Sequence, residues 1–183
     1  MLFNSSQIFV DLFNEYTGLT YTINDITEWD MRNVFPKQYK KLIENLWFDP
    51  ELWKRTQPLT DSQMYTKILS KNKDVEVFIV TDTHPRLIET KVNLLNKEYP
   101  WIDTVNNLFV CKRKDMVSVD CLVDDNYNNL LNNIPHKILL DHPWNRQINA
   151  DKNGIVRTKD WIAINKEIQR LIDARKALEE ITG

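Results

Sequence analysis

The sequence predicts an α/β protein whose core is a doubly wound parallel sheet, with a small helical subdomain inserted near the N-terminus. Three observations lead there. Residues 5 to 72 carry apolar positions at helical spacing, whereas the chain beyond Asp74 alternates short β-branched runs with amphipathic stretches. The residues best suited to chemistry then stand just after those runs, at the strand ends where doubly wound sheets gather their ligands.

Each element has its own signal. Ile8, Leu12 and Tyr16 recur every fourth residue, and Gly18 is placed just past a helix end. Pro36 opens a second helix, in which Tyr39, Leu42, Ile43, Leu46 and Trp47 follow an amphipathic spacing. Asp49-Pro50 reads as an N-cap and first turn, and Thr60 with Gln63 as a capping box ahead of Met64 and Ile68. This half, 5–72, is expected to be a helical subdomain, and 73–183 the α/β core. In the core, Val75 to Val80 (VEVFIV) reads as a buried parallel strand, and Pro85 to Lys97 as a helix through Leu87, Ile88, Lys91 and Leu95. Leu108 to Val110, Val119 to Val123 and Lys137 to Leu140 supply three more strands, with a short helix at Tyr127 to Asn132. A long helix is expected from Lys159 to Ile181, its buried stripe formed by Trp161, Ile164, Ile168, Leu171 and Ile172.

Composition narrows the function. A chain of 183 residues, 42% hydrophobic, suffices for one core with a small insert. Its 24 Lys and Arg nearly balance 26 Asp and Glu, which removes the basic field that duplex nucleic acid requires. Cys111 and Cys121 stand alone in apolar runs, outside any metal or redox motif, and are expected to be reduced core residues. No apolar run is long enough for a membrane span, and the N-terminus has no signal-peptide pattern, so a cytoplasmic location without membrane contact is expected. Assembly into a homo-oligomer is compatible with the sequence. Six Trp against three Gly, several of the Trp in one N-terminal stretch, suit either an aromatic-lined pocket or ordinary helical packing.

Three strand ends carry candidates for a site. Thr81 follows VFIV, Lys114 lies in the turn after LFVCKR, and Asp124-Asp125 follows DCLV. A hydroxyl and an ammonium suit phosphate oxygens, and a carboxylate suits Mg2+. Taken singly, Thr81 also reads as a turn or cap residue, Asp124-Asp125 as a solvated turn, and Lys114 as part of a charge run. Their order and spacing together are more specific than any one of them.

Here the chain resembles a known family. VFIVTDTHP is similar to the second motif of the haloacid-dehalogenase-like phosphatases, whose core is of Rossmann type, and KDMVSVDCLVDDNYNNL to their third and fourth motifs. YTINDITEWDMRNVFP, VDCLVDDNYNNLL, LLDHPWNR and IVRTKDWIAINKEI resemble stretches of the 5'(3')-deoxyribonucleotidase branch, in the same order, so that the likeness runs from about residue 1 to about residue 172. The resemblance implies hydrolysis of a nucleoside monophosphate through an aspartyl-phosphate, with Mg2+ as cofactor. It implies Thr81 as the phosphate-binding hydroxyl, with Asp82 and Thr83 shaping the loop beside it, and Lys114 as the charge-compensating cation. Asp125 becomes the direct Mg2+ ligand and Asp124 its neighbour. The helical stretch becomes a cap over the site, with Trp29, Phe35 and Trp47 as candidates for its aromatic wall, though packing accounts for each equally well. Asn145 and Arg146 match the segment after the last strand, either touching substrate or bracing the loop.

One departure stands against these matches. The family's first motif is an apolar strand followed by Asp-x-Asp-x-(Thr or Val)-Leu, and Met1-Leu2 falls where its Val-Leu belongs, leaving the nucleophile and the general acid outside this sequence. Asp11 lies inside an amphipathic helix and is no substitute. Three readings follow: a phosphatase whose start lies roughly ten residues upstream, one strand and its turn; a catalytically inactive nucleotide- or phosphate-binding module; or an interaction protein that keeps the motifs only for its fold. The resemblance implies that the first-motif strand lies between the strands ending at Thr81 and Asp124, so this chain is expected to pair those two directly, to fill the gap with another segment or a partner chain, or to be markedly unstable.

Overall fold

Helix α1 (Ser5–Thr17) forms where the spacing predicts it, and Gly18 closes it: at φ +71° the residue is in the left-handed region, and its N–H donates to the Asn14 carbonyl at 2.8 Å. The computed structural model describes residues 1–182. Phe9, Val10, Leu12 and Phe13 form the buried face of α1, while Tyr16 turns to solvent and donates its hydroxyl to Asp49. After a turn of 3-10 helix behind Pro36 come α2 (Lys40–Leu46) and α3 (Pro50–Arg55). Asp49 caps α3 as expected, its carboxylate accepting from the Glu51 N–H at 2.9 Å. These three helices close over Phe9, Phe13, Phe35, Ile43, Leu46 and Leu52.

Helix α4 (Ser62–Lys71) begins differently from expectation. The Thr60–Gln63 capping box does not form. Asp61 precedes the helix at φ +64° without a side-chain cap, and the Gln63 amide donates instead to the Glu98 carbonyl at 2.7 Å. A tertiary contact sets this turn: the Ser62 hydroxyl meets the Tyr99 hydroxyl at 2.7 Å in the interior. Consequently α4 packs on the sheet side of the molecule, with Tyr65 beside Trp161 and Ile164. The helical stretch 5–72 thus has two destinations, α1 to α3 around their own core and α4 on the α/β part.

Strands β1 (Ile79–Thr81) and β2 (Leu108–Val110) pair in parallel, joined by a 3-10 turn and α5 (Ile88–Glu98). Strands β3 (Cys121–Asp124), β4 (His136–Leu140) and β5 (Ile155–Thr158) form a second parallel sheet in the order β3-β4-β5. Along β4, Ile138 and Leu140 face Trp161 and Ile164 of α6 (Trp161–Thr182), and Leu139 faces Leu130 and Ile155 on the other side. The second sheet is therefore covered on both faces.

Several elements differ from the sequence expectation. The run 75–80 gives only three strand residues, ending at Thr81, because β2 offers just three partners. Strand β5 lies outside the sequence expectation: entered through Gly154 at φ +63°, it reads IVRT, with only two apolar residues before Arg157, too few to signal a buried run. The parallel strands are present, but as two sheets instead of one. Strands β1 and β3 do not pair, and a cleft of about 1800 Å3 lies between them. Leu2 is packed against both the α6 side and the α5 side of this cleft, its carbonyl accepting from the Tyr99 hydroxyl at 2.8 Å. Among the described residues no helix is long and apolar enough to cross a membrane.

Candidate active site

Thr81, Asp82, Lys114, Asp124 and Asp125, at or just after the strand ends, all line the cleft, and the charges of Lys114, Asp125 and Asp82 all reach Lys91. The sequence-predicted trio of hydroxyl, cation and acid pair is thus brought together. Thr81 shares a hydrogen bond with the Thr83 hydroxyl at 2.8 Å. Thr83 itself is buried behind it, where it orients the Thr81 side chain without lining the cleft.

Lys114 lies in a single 3-10 turn, and its ammonium donates to Asp124 Oδ2 at 2.7 Å. Asp124 is 2% exposed and accepts two further bonds, from Asn129 Nδ2 at 3.1 Å and from the Asn126 N–H at 2.8 Å. Burial pushes the Asp124 carboxyl above its ordinary value, against the pull of Lys114. Asp125 behaves oppositely. Burial works against its charge, yet the amino group of Met1, His142 and Lys114 together hold its carboxyl below the usual range. Its Oδ2 lies 3.9 Å from the Met1 nitrogen and 4.0 Å from His142 Nε2, and no close hydrogen bond to it is found among the described residues.

That state bears on Mg2+. Among the described residues no group of three or more His, Cys, Asp or Glu forms a ready metal cage. Mg2+ characteristically keeps several waters and takes one or two carboxylates together with substrate phosphate. An Asp125 carboxylate on the cleft wall without a close hydrogen bond fits that habit. Asp124, with its oxygens already committed, fits a supporting place.

The structure adds residues that the sequence reading passed over. Lys91 of α5 lines the cleft, and desolvation, reinforced by Lys114 nearby, pulls its ammonium down to about 8 against the opposing charges of Asp125 and Asp82. Its nitrogen lies 4.7 Å from the centre of the Trp53 ring, and no carboxylate comes within ion-pair distance among the described residues. The signal was present in the sequence, since Lys91 sits on the apolar stripe of its helix with Leu87, Ile88 and Leu95. His142 stacks on Trp144 with ring centres 4.3 Å apart, and its Nε2 is buried without a partner 4.0 Å from Asp125. Burial lowers its pKa, while the nearby Asp125 charge works the other way.

Asn145 is a brace. It is 1% exposed, and its amide donates to the carbonyls of Asp125 and Leu140 at 2.9 Å each. Arg146 is half exposed, bonded to Asp141 at 2.9 Å, and reaches Asn24 of the helical part at 3.5 Å. The three aromatic candidates part company. Trp29 is 53% exposed, lines the cleft and rests its edge on Trp144. Trp47 covers Phe9 and lines a smaller cavity of about 420 Å3 next to Trp29. Phe35, 3% exposed between Phe9, Phe13 and Tyr21, is a core residue and faces no cleft. The cysteines are free but half-buried, not core; Cys121 lies on the cleft side of β3, with burial pushing its thiol up to about 12.

The chain is similar to several known proteins. A 5'(3')-deoxyribonucleotidase of Bacillus subtilis (strain 168) is 27% identical over 171 residues, covering 88% of this chain and 94% of the relative. A protein of the same name from Bacillus phage SPbeta matches to the same extent, and one from Clostridium acetobutylicum is 30% identical over 154 residues, 83% of this chain and 81% of the relative. The family model described as 5' nucleotidase, deoxy (pyrimidine), cytosolic type C protein matches residues 2–178, and the chain belongs to that family.

Proposed function

We propose that the chain is the phosphate-handling body of a phosphatase acting on deoxyribonucleoside monophosphates, with the haloacid-dehalogenase-like architecture and cytoplasmic location that its sequence suggests. The observation that carries this reading is that Thr81, Lys91, Lys114, Asp125 and Trp29 line a single cleft, in which Lys91 feels the charges of both Lys114 and Asp125. The Thr81 hydroxyl and the Lys91 ammonium take phosphate oxygens. Lys114, anchored on Asp124, adds positive charge beside them. Trp29 offers its open face to a base or sugar. Asp125 would hold Mg2+, which when bound would offset the charge of the phosphate.

The expected aspartyl-phosphate chemistry needs a carboxylate that attacks phosphorus while the sugar oxygen leaves, followed by water at the same phosphorus. Asp124 is committed to three donors, and Asp125 is the candidate metal ligand. The described residues therefore support binding by themselves, and a nucleotide-binding module without turnover is the second reading. One titration series separates these ideas. Calorimetry with deoxypyrimidine monophosphates, with and without Mg2+, is run beside a phosphate-release assay. Binding lost in both Thr81→Val and Lys91→Met supports the site. Equal binding by both variants would remove it, and binding without phosphate release selects the second reading.

A further inference from the structure

The main chain of Asp125 is held by two side chains from the end of a neighbouring strand. Its carbonyl accepts from Trp144 Nε1 at 3.0 Å and from Asn145 Nδ2 at 2.9 Å, which uses both lone pairs of the oxygen. Both donors belong to the 3-10 turn Pro143–Asn145 that follows β4. Arg157 of β5 secures that turn, since its Nη2 donates to the carbonyls of Asn145 at 2.9 Å and of Ile148 at 2.8 Å. Nη1 of the same guanidinium donates to Asn145 Oδ1 at 2.6 Å and to Asp141 Oδ1 at 3.1 Å. Arg157 itself lines no part of the cleft.

The Asn145 amide passes this restraint on. Its Oδ1 accepts from Arg157 and from the His142 N–H at 3.3 Å, and its Nδ2 donates to the carbonyls of Asp125 and Leu140. Turned over, the amide would set donor against donor on one side and oxygen against two carbonyls on the other. A guanidinium can only donate, so Arg157 dictates which way the amide points. No close hydrogen bond from a described residue holds the Asp125 carboxylate, so its place on the cleft wall follows from its main chain. We infer that Arg157 is a positioning residue for a divalent cation at Asp125, acting through the Asn145 amide and the Asp125 carbonyl, an inference that rests on the reading of Asp125 as the Mg2+ ligand. Coulomb's law alone predicts the opposite sign, because removing a nearby cation favours a divalent ion. Partners that orient a metal ligand are typically worth 10- to 100-fold in affinity, about enough to outweigh that gain.

The probe is Mn2+ alone, which takes the same oxygen ligands as Mg2+ and whose free ion is counted by electron paramagnetic resonance, with Mg2+ as competitor. Titrated into the full chain, Arg157→Met should bind it about tenfold more weakly than wild type. Arg157→Lys keeps the charge but replaces a four-bonded fork by a single nitrogen, and it should also weaken binding. It carries the test if the methionine variant fails to fold. Leu52→Ala, a truncation in the core of α1 to α3, controls for lost stability and should leave the affinity unchanged. In nuclear magnetic resonance spectra the Asn145 side-chain amide protons should exchange slowly in wild type and rapidly in Arg157→Met. Wild-type affinity in Arg157→Lys, equal or tighter binding in Arg157→Met, or an equal loss in Leu52→Ala would overturn the inference. Asp125→Asn separates it from the reading beneath it. If that variant binds Mn2+ as well as wild type does, or if wild type binds none, the metal assignment falls and the role of Arg157 with it; if Asp125→Asn loses the ion while Arg157→Met keeps it, only the role of Arg157 falls.

Discussion

Replacing Lys114 by methionine isolates the electrostatics of the site. The change strands Asp124, 2% exposed, with only Asn129 and the Asn126 N–H as donors. Breaking a buried pair in this way costs about 3–5 kcal/mol. An independent bound comes from protonation, because the stranded carboxyl can always accept a proton. From an ordinary value of 3.8, neutralising it at pH 7 costs about 4.5 kcal/mol at roughly 1.4 kcal/mol per unit, and at pH 5 only about 1.7 kcal/mol. The sign follows from linkage. A carboxyl raised in the folded state binds protons that the unfolded state has released, so the variant loses stability as pH rises above the unfolded value. Urea unfolding of both proteins at pH 5 and pH 7 should show a deficit of about 3–4 kcal/mol at pH 7, shrinking by more than half at pH 5. Adding Asp124→Asn should recover most of it. A deficit below about 1 kcal/mol at pH 7, typical of surface pairs, or one of equal size at both pH values, would refute the assignment of a buried, compensated charge.

Two further outcomes test the remaining assignments. Because burial pulls the Lys91 ammonium from 10.5 to about 8, the unfolded state binds more protons between these values, and wild-type stability should gain from Lys91 as pH rises through 8. Phosphate affinity should fall over the same interval, and Lys91→Met should abolish that fall; a pH profile unchanged in the variant would show that the titrating group is another. Phe35→Ala should cost about 3–5 kcal/mol in urea unfolding as a core truncation. Trp29→Ala should cost under about 1 kcal/mol while weakening nucleotide binding measured by calorimetry, and the reverse pattern would exchange the places assigned to the two rings.

Local chemistry reached the sequence directly. Gly18 and Asp49 set helix ends through backbone conformation and a hydrogen bond two residues along the chain, neither of which needs a distant partner. Thr81 and the Asp124-Asp125 pair were legible because a short β-branched run fixes where a parallel strand ends, and the fold places those ends together. What depended on neighbours stayed hidden. The Thr60 capping box lost to the Ser62–Tyr99 contact, and β5 gained its pairing from β4, not from its own four residues. Phe35, Trp29 and Trp47 have the same aromatic character in sequence and three different environments in the fold. Lys91 acquires its lowered pKa only when α5 turns it toward Lys114 and away from water. Spacing fixes periodicity and turns, whereas burial, the cleft between β1 and β3 and every shifted charge arise from segments far apart in the chain. Desolvation and hydrogen-bond satisfaction are properties of the packed whole, and so only the tertiary structure decided them.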